Sequence, residues 1–157
     1  MGNLRSVEKA LERVGATATV TSDAKTAGEF DGLVLPGVGA FPLAMQRIRQ
    51  VGFDVLVGEW TGAGRPLLGI CLGMQLLFER SEENGGAEGL ALLPGEVRSL
   101  DAPGLKVPHI GWEPVSWERS SDLATDVRHD TPFYFVHSFA AHADDADIVG
   151  SARWGER

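Results

Sequence analysis

The chain carries one cysteine, Cys71, which excludes an internal disulfide, and no apolar run reaches the ~18 residues that a membrane-spanning helix requires. Basic side chains are the minority, with 14 Lys and Arg against 22 Asp and Glu, for a formal net charge of −8. They form no cluster, which argues against nucleic acid or an anionic membrane as the main partner, since both are held by Lys and Arg. The opening stretch "MGNLRSVEKALERVG" has no apolar h-region and is not a secretory signal. Internal repeats and low-complexity linkers are also absent. What remains is ordinary globular composition, 43% apolar and 23% charged over 157 residues, enough for one domain with a real core. A reducing cytoplasm is the expected setting.

Leu4, Val7, Leu11 and Val14 recur at helical spacing, with Asn3 as N-cap and Gly15 as stop. The β-branched run "TATVT" predicts a strand, and "DGLVLPG" a second, buried one ended by Pro36 and Gly37. Helices are predicted through "AFPLAMQRIRQVG" and "FDVLVGEWTG"; a buried "PLLGI" strand then feeds a helix beginning just after Cys71. Strand alternating with helix over residues 1–80 favours a parallel sheet covered on both faces. From residue 89 short strand-like pieces ("LALLPGEVRSL", "EPVSW", "FYFVHSF", "DIVGSARW") follow one another between Gly and Pro turns, an antiparallel addition. The chain opens inside a helix with no strand before it, and closes at "VGSARWGER" with no final helix. The expectation is a single, partial domain over residues 1–157. It is α/β, a flavodoxin-like doubly wound and mostly parallel sheet with a small antiparallel addition, lacking its first strand and C-terminal portion.

In "GICLG" the flanking glycines follow the logic of nucleophile elbows, where small neighbours permit a sharp strand-to-helix turn that pushes the nucleophile out of the sheet. A thiol there sits at a helix N-terminus, where unpaired amides and the dipole favour thiolate, and the Leu72 amide would point at an oxyanion. A buried structural cysteine after a core strand is the alternative. In "LPGVGAF", Gly37 and Gly39 let backbone approach a ligand at the carboxyl end of a strand, where open α/β sheets bind substrates. No third glycine or Gly-Lys-Ser/Thr ending follows, so this is not a phosphate loop.

Together "LPGVGAF", "GICLGMQLLFERSEE", "VPHIGW" and "YFVHSF" resemble the glutaminase subunits of imidazole glycerol phosphate synthase, class I (Cys-His-Glu) glutamine amidotransferases of histidine biosynthesis. The resemblance runs the length of the chain, and "GNLRSVEKAL" looks like the segment after the family's first strand and Asp-Tyr-Gly turn. It implies that Cys71 attacks the side-chain amide of glutamine, giving a γ-glutamyl thioester and ammonia, and that water then frees glutamate. The oxyanion hole would be made by Leu72 and by the loop of Gly37, Val38 and Gly39, which in this family needs a peptide flip to present its donor. Gln75 and Glu83 match positions that hold the substrate's polar groups, and His137, Ser138 and Phe139 match a strand lining the same pocket through its backbone. Ammonia would pass to a (β/α)8-barrel cyclase subunit in a heterodimer, where it joins a phosphoribosyl-formimino intermediate to give imidazole glycerol phosphate and AICAR. Trp112 and Tyr134 look like parts of that contact surface. Neither a metal nor a cofactor is implied. One departure is Glu113, where the family typically has Asn after "PHIGW".

A cysteine hydrolase needs an imidazole within hydrogen-bond reach. Of the four histidines, His109 belongs to the "PHIGW" surface stretch, and His129 sits in the polar "DVRHDTP". His137 is expected as a satisfied core histidine in a strand, and His142 precedes the acidic "ADDAD". None shows the His-Pro-Glu spacing of the family's base and carboxylate, an element expected beyond a point equivalent to Arg157. The chain by itself is therefore expected to lack glutaminase activity. Two other readings stay open: a different cysteine enzyme on the same architecture, and a catalytically dead module that docks on a partner.

Overall fold

The computed structural model of the protein describes residues 4–101 and 103–154. The first helix, α1 (Leu4–Arg13), follows the Leu4, Val7, Leu11 spacing and stops at Gly15, whose φ of +91° suits glycine. Its predicted cap, Asn3, lies outside the described residues. The run 17–21 is not a strand. No neighbouring strand pairs with it among the described residues, and Thr17, Thr19 and Val20 are exposed, so β propensity has no ladder to act through. A short α2 (Ala24–Ala27) follows, capped by Asp23, whose carboxylate accepts the Lys25 amide at 3.1 Å.

β1 (Leu33–Gly37) and β2 (Leu67–Cys71) pair in parallel, and the crossover between them is made of α3 (Phe41–Gln50) and α4 (Phe53–Gly62). The register runs from Leu33↔Leu67 to Gly37↔Cys71, so the glycine loop and the cysteine leave the ribbon side by side. The single-turn helix α5 (Leu72–Gln75) covers the Gly69 face of this ribbon, where a Cβ on Gly69 would lie 2.5 Å from the Met74 Cα. The opposite face carries Leu68 and Ile70, 38% and 36% exposed. These strands are thus covered on one face by the described residues, not on both, and are less buried than their apolar composition suggests.

A second sheet has the order β4 (Ala87–Glu88), β3 (Phe78–Ser81), β5 (Leu93–Ser99), β8 (Phe139–His142); β3 and β5 are parallel and the other pairs antiparallel. The third is antiparallel throughout, with β6 (His109–Trp117) between β7 (Thr131–His137) and β9 (Gly150–Ala152). Residues past 89 thus form the expected antiparallel addition, with one parallel pair at its root. The core joins Phe41 and Met45 of α3 to Leu72, Leu76, Phe78 and Val97. It therefore clamps the helix after the glycine loop onto the segment after the cysteine. Among the described residues no helix is long and apolar enough to cross a membrane.

The closest approach is made by glycines. A Cβ on Gly73 would lie 1.7 Å from the Leu35 carbonyl oxygen, and one on Gly37 2.9 Å from the Gly73 amide nitrogen. Backbone lies on backbone here, with no room for a methyl. Gly73→Ala should lower unfolding free energy by about 3 kcal/mol, the upper part of the overpacking range. Gly58→Ala, inside α4 with open space around it, should raise it by up to about 1 kcal/mol. Urea denaturation checks both, and a Gly73→Ala chain with the parental midpoint contradicts this packing.

Candidate active site

Cys71 ends β2 and caps α5 with φ 56° and ψ −120°, and it is exposed. A side chain with φ positive is strained, at a cost on the order of 1–3 kcal/mol, and persists only where surroundings over-determine it. They do so here. Leu72 and Gly73 are buried immediately after it, and Gly69 and Gly73 press α5 onto the ribbon. The turn has the form of a nucleophile elbow. The helix it opens has four residues, shorter than the sequence suggests, so few peptide dipoles are aligned behind the thiol. Any negative charge at Cys71 would meet the first-turn amides instead.

The loop beside it starts at Gly37, ladder partner of Cys71. Val38 is exposed, and Gly39 has φ +103° with nothing within 4 Å of where a Cβ would be. α3 begins next with no side-chain cap of its own from Ala40. Glu83 supplies one from 42 residues away, its Oε2 accepting the Phe41 amide at 2.8 Å. Glu83 itself sits in a 3-10 turn (Glu83–Gly85) after β3, not at a solvated helix end, and its amide donates to Oγ of the buried Ser81. One of its carboxylate oxygens is thus committed to anchoring the glycine loop's far end.

Gln75, one turn past Cys71, donates from Nε2 to the Phe139 carbonyl at 3.0 Å. That carbonyl also takes Nδ1 of His137 at 3.0 Å, while the Ser138 carbonyl accepts the Leu100 amide. Cys71, Leu72 and residues 37–39 therefore meet through the β1–β2 register, and Gln75, His137 and Phe139 meet at one oxygen. Trp112 and Tyr134 lie elsewhere. They face each other across the β6–β7 register on its outer face, 67% and 54% exposed, with rings edge to face at 5.4 Å.

None of the four histidines is hydrogen-bonded to Cys71 among the described residues. Nδ1 of His129 accepts the Trp117 amide at 3.3 Å, and its Nε2 lies 3.6 Å from Asp130. His142 is exposed on β8 opposite Glu96. His137 has both ring nitrogens engaged, Nδ1 at Phe139 and Nε2 at Nδ1 of His109, 3.2 Å away. His109 is not on the surface, as its "PHIGW" setting suggests. It is 2% exposed, stacked on Trp154 at 3.8 Å between ring centroids and on Phe135 at 5.2 Å. Burial pushes its pKa below the ordinary 6.5; the neighbouring His137 pushes the same way and Glu113 opposes both. The alternation of β6 carries the only sequence signal for this: His109, Gly111 and Glu113 share a face opposite to Ile110 and Trp112.

A glutamine amidotransferase class-I family model matches residues 2–153. Imidazole glycerol phosphate synthase subunit HisH of Bacillus cereus (strain G9842) is 47% identical over 155 residues, 99% of this chain and 74% of that protein. The protein of the same name from Thermobifida fusca (strain YX) is 51% identical over 139 residues, 88% of this chain and 65% of its own length. A crystal structure of glutamine amidotransferase superposes with a TM-score of 0.74 at 18% identity, covering 95% of this chain and 75% of that one, a likeness of fold. With its strand-to-helix cysteine turn beside a glycine loop, the chain belongs to the class-I glutamine amidotransferases, in the family of the imidazole glycerol phosphate synthase subunit HisH.

Proposed function

We propose that this chain is the glutamine-hydrolysing subunit of an imidazole glycerol phosphate synthase, with Cys71 as nucleophile. The observation that carries this is the backbone of Cys71, at φ 56° and ψ −120°, held beside Gly37 with the side chain exposed. The thiolate adds to the side-chain amide carbon of glutamine, and the carbonyl oxygen becomes an oxyanion. The Leu72 amide and an amide of the Val38–Gly39 stretch donate to it; the freedom of Gly39, at φ +103° in open space, lets that stretch reorient. Collapse breaks the C–N bond. The departing nitrogen takes up the proton that the thiol gave up and leaves as ammonia, and a γ-glutamyl thioester remains until water attacks it, releasing glutamate and the free thiol. Gln75 and Glu83 orient the substrate with the backbone of His137, Ser138 and Phe139, Glu83 acting through the oxygen that does not cap α3.

Ammonia then goes to a (β/α)8-barrel cyclase partner, making a cytoplasmic heterodimer. Support for a docked face comes from β6 and β7, whose outer face is a continuous apolar strip of Ile110, Trp112, Pro114, Pro132, Tyr134 and Val136, all exposed. Such a strip is larger than the scattered apolar residues a free surface tolerates, and Trp and Tyr at its centre are the residue types that anchor interfaces. The described residues position neither a proton acceptor for the thiol nor a carboxylate to orient one.

In the assembled synthase, Cys71→Ala should lower glutamine-dependent product formation at least about 10³-fold while leaving synthesis from added ammonia intact. Retained glutamine use in that variant rules out the nucleophile. Residues 1–157 alone should release no glutamate from glutamine, and turnover dependent on Cys71 would mean that a base acts from within them. Trp112→Ala should weaken binding of the cyclase subunit by about 2 kcal/mol, roughly thirtyfold in Kd by titration calorimetry. An unchanged Kd moves the contact surface elsewhere.

A further inference from the structure

His109, His137 and Glu113 line the inner face of the β6–β7 hairpin, behind the apolar strip. His109 and His137 are register partners, and Gly111 between His109 and Glu113 carries no side chain; a Cβ there would be 3.9 Å from Nε2 of His109. Hydrogen-bond chemistry fixes the tautomers. The Phe139 carbonyl can only accept, so Nδ1 of His137 carries a proton. In neutral His137 its Nε2 is then an acceptor, and Nδ1 of His109 must donate to it across 3.2 Å. That leaves Nε2 of neutral His109 as a bare lone pair, buried and without a hydrogen-bond partner. The atom it faces is Oε1 of Glu113 at 3.7 Å, within ion-pair but outside hydrogen-bond distance.

An ionised carboxylate and an imidazole lone pair are both acceptors, and the array is one proton short of closing. Added to the two rings, one proton gives Nε2 of His109 an N–H aimed at Glu113, whichever ring formally carries the charge. The protonated pair then donates outward at both ends, from Nε2 of His109 towards the Glu113 carboxylate and from Nδ1 of His137 to the Phe139 carbonyl, with one proton between the rings. The same oxygen receives Gln75, on the one-turn helix that Cys71 opens.

We propose that Glu113, His109 and His137 are positioning residues, a one-proton hydrogen-bond chain that fixes the Phe139 carbonyl and, through it, Gln75. The functional half rests on the glutaminase reading above; the protonation half does not. Among the described residues the ionisable groups acting on His109 are His137 from β7 and Glu113 from its own strand, while Trp154 and Phe135 pack on it as neutral rings. Because burial and His137 lower the pKa of His109, the unfolded chain binds the proton more readily than the folded one just below pH 6.5. The stability due to this group is complete above 6.5 and declines as pH falls through and below it. Glu113 limits that decline.

The test is Glu113→Gln in the full chain bound to its cyclase partner, read by imidazole nitrogen NMR and thermal unfolding from pH 5 to 8. His137 should be the Nδ1–H tautomer at pH 7.5. The His109 titration should move to lower pH in Glu113→Gln, because the carboxylate is gone while the new amide can donate to the lone pair. Relative to the parent, the variant's Tm should hold at pH 7.5 and fall away below pH 6; a packing role alone would shift Tm equally at every pH. An Nε2–H tautomer at His137, or an unmoved His109 titration, overturns the chain. His137→Gln in the synthase should raise KM for glutamine about threefold to tenfold with a smaller change in kcat, one neutral hydrogen bond's worth. An unchanged KM beside an intact NMR signature overturns the link to Gln75. Failure of the glutaminase reading shows separately, as glutamine use that survives Cys71→Ala.

Discussion

The contact of one helical turn with two strands, backbone against backbone, is the constraint on which the candidate site depends. Gly73 lies so close to Leu35, and Gly69 so close to Met74, that no side chain fits between α5 and the β1–β2 ribbon. With α5 pressed down this far, the chain cannot leave β2 by a relaxed route. Cys71 takes up the difference at φ 56°, and its side chain emerges at the end of the ribbon beside Gly37. The strain at that residue, on the order of 1–3 kcal/mol, is offset by burial of Leu72 and Leu76 in the core just behind it. The position and exposure of the thiol are therefore consequences of packing several residues away.

Two long-range hydrogen bonds extend this frame. Glu83 ties the start of α3 to the turn after β3, which holds the far end of the glycine loop against the same core. Gln75 ties α5 to β8 through the Phe139 carbonyl, and His137 of the histidine pair reaches the same oxygen. The hairpin bearing those histidines turns an apolar strip outward and a polar chain inward, by the simple alternation of strand residues. One element thus has both an exposed apolar face and a link toward the cysteine's helix.

Much of this architecture is legible in residue order because the causes are local. The 3.6-residue spacing of Leu4, Val7 and Leu11, the glycines about Cys71, and the apolar run ending at Pro36 and Gly37 each act within a few residues. Other features have causes far along the chain. "TATVT" has strand-forming residues but no partner beside it among the described residues, so it forms no ladder. The apolar Leu76–Phe78 run suits a helix or a strand equally, and pairing of Phe78 with Leu93 of β5 ends α5 after one turn. Glu83 caps a helix 42 residues before it, which an acidic cluster does not reveal. His109 is buried because Trp154, from beyond β9, stacks on it, so its "PHIGW" context misleads.

The strain at Cys71 can be measured directly by comparing Cys71→Gly with Cys71→Ala in urea unfolding. At a relaxed position glycine is less stable than alanine by about 0.5–1 kcal/mol. If packing of α5 forces a positive φ, the order reverses, and Cys71→Gly should be the more stable of the two by about 1 kcal/mol. Alanine ahead by its ordinary margin would contradict the account.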